Sequence, residues 1–177
     1  MNFQLHTIKT SPEKSKSIIE KTRASHGFIP NLYRVMAESP ETLNLYEFFH
    51  GMMHQFTLSQ QEQLVVLFTI TTSHDCNYCT SMQSMVAEMM RFPKEEIEKI
   101  KLSKTLGNDK LETLRRFTQL LINNEGWVTE NERESFIKSG FSNQAILEII
   151  SILSIKTLST YVNRIAQTPI DVEFGIK

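Results

Sequence analysis

Residues 58–83 read LSQQEQLVVLFTITTSHDCNYCTSMQ, and they hold both cysteines of a 177-residue chain, Cys76 and Cys79. Ser59-Gln60-Gln61-Glu62 has the spacing of a capping box, in which the first and fourth side chains satisfy each other's backbone N–H groups and open a helix. A short turn follows, and a second helix starts at the cysteines. At about 100° per residue, Cys76, Cys79, Gln83, Val86 and Met90 gather on one side of that helix. Tyr78, Met82, Met85 and Met89 form an apolar stripe, and Asn77, Thr80, Ser81, Ser84, Glu88 and Arg91 a polar one. More than half of the circumference is apolar, which predicts packing on two sides: one against the chain's own core, the other against another subunit. The methionines read as flexible core filling and Tyr78 as a packing residue.

Two thiols three positions apart in a first helical turn lie on one face, within reach of a disulfide. Ser73 or Asp75 is the expected cap. The free N–H groups and positive dipole end of the helix favour a thiolate there. A lowered thiol pKa beside a resolving partner is what thiol–disulfide exchange and hydroperoxide reduction require. Two other readings fit the same residues. A zinc site needs four ligands, and only His50 and His54 at helical spacing offer themselves as a second pair, so no metal is assigned. Alternatively the two cysteines are buried and inert.

The rest of the chain reads as all-α, about eight helices and no strand. Start signals stand at Ser11-Pro12-Glu13, Ser39-Pro40-Glu41, Thr129–Glu132 and Ser142, and stops at Gly27 before Pro30, Phe92-Pro93, Gly107-Asn108, Gly126 and Gly140. No repeat or linker divides it. Residues 1–57 form a helical lead-in and 58–170 carry the denser apolar pattern, kept together as one domain over 1–177. With 40% apolar residues, 22% charged and a net charge of −1, nothing recommends a nucleic-acid or membrane partner. The apolar stretch Ala145–Leu158 is interrupted by Glu148 and Lys156 and reads as too short to span a bilayer, and the N-terminus lacks a signal-peptide core. A cytoplasmic location is expected, where a close cysteine pair is redox-active or metal-binding sooner than a structural staple.

The quoted stretch resembles the AhpD-like (alkyl hydroperoxidase D) and carboxymuconolactone decarboxylase superfamily, in which an L-S-x-x-E opening leads to C-x-Y-C. GFIPNLYRVMAESP at 27–40 and NRIAQTPIDVEF at 163–174 look like its longer, peroxidase-related branch. The resemblance implies an AhpD-like helical bundle with the CxxC at the N-terminus of a buried helix, assembled as a trimer or hexamer. It implies reduction of a peroxide or disulfide by a dithiol–disulfide cycle, with no bound cofactor and with an external dithiol or thioredoxin-like reductant. Cys79 would attack and Cys76 resolve; decarboxylase activity is not expected. The family's relay glutamate and histidine fall on Leu64 and Gln83, which cannot carry a proton. Substitutes within the stretch are His74, in the turn, and Glu62, which the helical period turns elsewhere. A positioned acid or base contributes roughly 10²–10⁴-fold in rate, so weak turnover is expected. The alternative is a non-enzymatic oligomer that binds a ligand or partner.

Overall fold

The computed structural model describes residues 3–175. Among these, nine α-helices and no strand occur: α1 Glu13–His26, α2 Asn31–Met36, α3 Pro40–Met52, α4 Gln60–Ser73, α5 Asn77–Met89, α6 Lys94–Lys101, α7 Asp109–Asn123, α8 Glu130–Lys138 and α9 Asn143–Ala166. Two 3₁₀ turns, Met53–Gln55 and Val172–Phe174, complete the order. The count agrees with the expected about eight helices, and the two shortest, α2 and α6, span only six and eight residues. Helices that short fall below the window in which apolar periodicity registers.

The helix starts follow local chemistry. Both expected capping boxes form, Ser59 with Glu62 and Thr129 with Glu132. Ser39 accepts from the Thr42 N–H ahead of Pro40, and Ser142 from the Ala145 N–H. Ser11 does not cap α1; its hydroxyl donates to the Thr7 carbonyl instead.

Helix α4 is the central element, packed by α5, α6, α7 and α9. Its Leu64, Val65, Val66, Phe68 and Ile70 are buried, so almost its whole circumference faces protein. They belong to one apolar cluster with Leu114, Phe117, Phe136, Ile149 and Ile152. A second cluster joins Ile19, Leu32, Tyr33, Met36, Leu43 and Tyr46 of the first three helices to Cys76, Tyr78, Cys79, Ile155 and Phe174. The lead-in and the CxxC helix thus share a core.

The expectation for the second apolar side of α5 needs correcting. Met82 and Met85 pack on the second cluster, Val86 and Met90 on the first, and only Met89 stands out, 76% exposed. Chain segments on both flanks cover the helix. Unpartnered apolar side chains lie elsewhere: Leu147, Ile150, Tyr161 and Ile165 on α9, and Leu45, Phe48 and Met52 on α3. Helix α9, at 24 residues, is also long and apolar enough to cross a membrane by length and composition, where the shorter run Ala145–Leu158 read as insufficient. It nevertheless packs against α2, α4 and α5 and buries Glu148 and Lys156.

Candidate functional site

Asp75, at φ 48°, turns the chain from the end of α4 into α5. The residue that caps α5 is Cys76 itself, not Ser73 or Asp75. Its sulfur accepts the Cys79 N–H at 3.3 Å. Ser73 is occupied by the Thr69 carbonyl and the Gln119 side chain. The two cysteines are buried, their Cα atoms 5.3 Å apart, and joined as a disulfide.

Polar side chains from α9 meet the pair from the other side. Cys79 Sγ lies 3.8 Å from the Thr160 hydroxyl and 3.6 Å from Nδ2 of Asn163, which donates to it. Both α9 residues are buried. One turn along α5 from Cys79, Gln83 is also buried. In the amide orientation that satisfies its neighbours, it donates to Thr71 Oγ1 at 2.8 Å and the Leu67 carbonyl at 3.3 Å, and accepts from Lys156 Nζ at 3.2 Å. Lys156 is 1% exposed and forms no ion pair among the described residues. Burial pushes its amine down to about 7.

The other sequence candidates are distributed differently. His74 ends α4, half-buried, its carbonyl accepting from Arg164. Burial, then Arg164 and Lys156, lower its pKa, and the ring makes no hydrogen bond to either sulfur. Glu62 sits at the opposite end of α4, roughly 18 Å along the helix axis from His74. There it closes the capping box and pairs with Lys110 at 2.8 Å. Burial opposes its charge, but Lys110 and the Ser59 N–H hold its carboxyl below the usual range. The structure does not bring Glu62 to the cysteines. Leu64, at the relay-glutamate position, is packed in the core. His50 on α3 has its ring 4.4 Å from that of Tyr46, and burial, then Lys156 and His26, push it down to about 4. His50 and His54 do not gather with the cysteines into a group of three such ligands among the described residues. Buried Nε2 of His50, Nδ1 of His74 and Oδ1 of Asn163 find no hydrogen-bond partner.

Tyr78 is more than packing. Its hydroxyl donates to Asp171 at 2.6 Å and accepts the Leu32 N–H at 3.1 Å, and burial, then Asp171, raise its pKa. Asp171 also takes the Asn31 N–H at 3.0 Å, so the tail is tied to α2 and to the CxxC helix. The residues that sequence reasoning passed over are thus Lys156, Thr160, Asn163 and Asp171. The one visible signal was Lys156, which with Glu148 interrupts an apolar helical run.

No family model matches the chain, and no curated protein matches it. Solved structures do. One is described as an alkylhydroperoxidase AhpD core, an uncharacterized peroxidase-related protein from Ralstonia eutropha JMP134. It superposes with a TM-score of 0.87 at 15% identity, covering 98% of this chain and 93% of that one. An uncharacterized peroxidase-related protein from Silicibacter sp. TM1040 gives 0.83 at 15% identity, covering 98% and 92%. A cysteine-to-alanine variant of the debrominase Bmp8, in complex with 2,3,4-tribromopyrrole, gives 0.72 at 16% identity, covering 92% and 88%. All-helical throughout its described residues, with the Cys76–Cys79 pair at the mouth of α5, the chain has the AhpD-like fold.

Proposed function

We propose that the protein is a soluble thiol oxidoreductase of the AhpD-like superfamily, which reduces an alkyl hydroperoxide or a disulfide through a Cys76/Cys79 dithiol–disulfide cycle. The observation that carries this reading is the site itself. Two cysteines close enough to be joined stand at a helix N-terminus, one sulfur accepting a backbone N–H and the other facing the Thr160 hydroxyl and the Asn163 amide. Hydrogen-bond donors aimed at a sulfur stabilise its thiolate, and a thiolate beside a second thiol is the working unit of disulfide exchange. Cys79 attacks and Cys76 resolves, in keeping with the donors from α9. An external dithiol or a thioredoxin-like protein restores the pair. Turnover is modest, because Leu64 and Gln83 carry no proton at the two relay positions.

The test is a hydroperoxide and disulfide reductase assay with several dithiol donors, beside Cys76→Ser and Cys79→Ser. Each single substitution is expected to abolish cycling, and Cys76→Ser to accumulate a mixed disulfide or sulfenic acid on Cys79. Turnover that survives both substitutions overturns the reading.

A further inference from the structure

Lys156 is the buried charge that the dithiol chemistry above leaves unused. A fully buried lysine is rare unless paired, because desolvating an ammonium costs several kcal/mol. Here no carboxylate pairs with it among the described residues, and its polar contact is the Gln83 amide oxygen at 3.2 Å. For stability alone, an apolar side chain of the same length serves the site better.

The geometry relates this amine to the sulfur. On α5, Cys79 and Gln83 are four residues apart; on α9, Lys156 and Thr160 are four apart. Residues at that spacing share a helix face, with roughly 5–6 Å between their Cβ atoms. The two helices therefore meet in two adjacent rungs: Thr160 against Cys79 at 3.8 Å, and Lys156 against Gln83 at 3.2 Å. We propose that Lys156, held by the Gln83 amide one helical turn from the Cys79 sulfur, takes up the proton of Cys79 and returns it to the leaving atom. The proposal rests on the dithiol reading.

The titratable groups whose charge is coupled to the amine are His50 from α3 and His74 from the end of α4, and Cys79 stands one helical turn from the amine's Gln83 partner on α5. Burial keeps His50 neutral well below pH 7, so it does not compete for the proton. Burial also brings the amine to about 7, where both of its forms are populated near neutral pH, as a proton carrier requires.

In hydroperoxide reduction the neutral amine accepts the Cys79 S–H proton, and the thiolate attacks the distal peroxide oxygen. The S–O bond forms as the O–O bond breaks, and the ammonium gives its proton to the departing alkoxide, leaving an alcohol and a Cys79 sulfenic acid. Cys76 then attacks the Cys79 sulfur, the S–S bond forms and water departs with the Cys76 proton. Two thiols supply the two electrons that the O–O bond takes.

The experiment uses full-length Cys76→Ser protein, in which Cys79 is the sole thiol and serine preserves a capping side chain. The iodoacetamide alkylation rate of Cys79 is followed against pH by mass spectrometry, with and without Lys156→Met, alongside thermal melts. Lys156→Met is expected to move the midpoint upward by at least about one pH unit and to slow alkylation at pH 7 by about tenfold. Gln83→Leu, which keeps the amine but removes its holder, is expected to shift the midpoint in the same direction. A midpoint unmoved in folded Lys156→Met overturns the proposal; should that variant not fold, an unmoved midpoint in Gln83→Leu does so. Alkylation needs no substrate, so an unmoved midpoint beside intact turnover rejects the lysine alone. Absent turnover in the unaltered protein rejects the dithiol function.

Discussion

Lys156 and His50 bring two ionisable groups into the interior, and both work against folding when charged. The lysine has its folded value below its ordinary 10.5, at about 7. Between those pH values the unfolded chain binds more protons than the folded one, so stability rises with pH across the window. Below about pH 7 the amine is charged in both states and the full penalty stands. His50, pushed from 6.5 to about 4, has the same sign in acid: stability falls as pH drops from 6.5 toward 4. Lys156→Met, an apolar replacement of similar length, is therefore expected to raise the melting temperature. The rise should be larger at pH 6 than at pH 10, and calorimetry at the two values checks it. An equal gain at both would show that the amine is not desolvated in the folded state. At this scale the cysteines were legible because their spacing is a local property. Lys156 was visible only as an interruption in an apolar run; its relation to Cys79 arises where α9 crosses α5, 77 positions later in the chain than the sulfur it serves.

Helix starts are the most readable elements, since a cap is a contract among four consecutive residues. The boxes at Ser59 and Thr129 formed where their spacing placed them. Glu62 shows how such a contract engages a side chain: its carboxylate is held by the Ser59 N–H and by Lys110, a helix length from the thiols. Glu62→Ala is expected to cost about 1 kcal/mol of stability in denaturant titrations while leaving Cys79 alkylation unchanged. A tenfold loss of thiol reactivity in the folded variant would return Glu62 to the site. The start of α5 was less readable. Ser73 and Asp75 are ordinary capping residues, yet Ser73 is drawn to Thr69 and Gln119, and Asp75 adopts the left-handed turn that redirects the chain. Cys76 inherits the capping position, so one of the two disulfide sulfurs is also a helix cap. Opening the disulfide therefore changes the charge and contacts of the first turn of α5.

Across the described residues, two helices carry a stripe of exposed apolar side chains: Leu147, Ile150, Tyr161 and Ile165 recur at helical spacing along α9, and Leu45, Phe48 and Met52 along α3, while Met89, Trp127 and Val172 are exposed singly elsewhere. We infer that these stripes are where copies of the chain meet, since exposed apolar patches mark association surfaces. Light scattering of Tyr161→Glu/Ile165→Lys is expected to give a smaller particle than the unaltered protein. An unaltered protein that is monomeric at micromolar concentration would defeat the inference. The all-helical class, the places where most helices begin and the closeness of Cys76 to Cys79 were determined by the sequence alone, because periodicity, caps and a three-residue spacing act over a few neighbouring positions. Only the tertiary structure decided that the chain itself covers both apolar flanks of α5, and it alone placed Thr160 and Asn163 beside Cys79 and Lys156 beside Gln83. It also tied Asp171 to Tyr78. Those relations depend on how helices distant in sequence pack, and desolvation acts on a charge only once neighbours from several elements close around it.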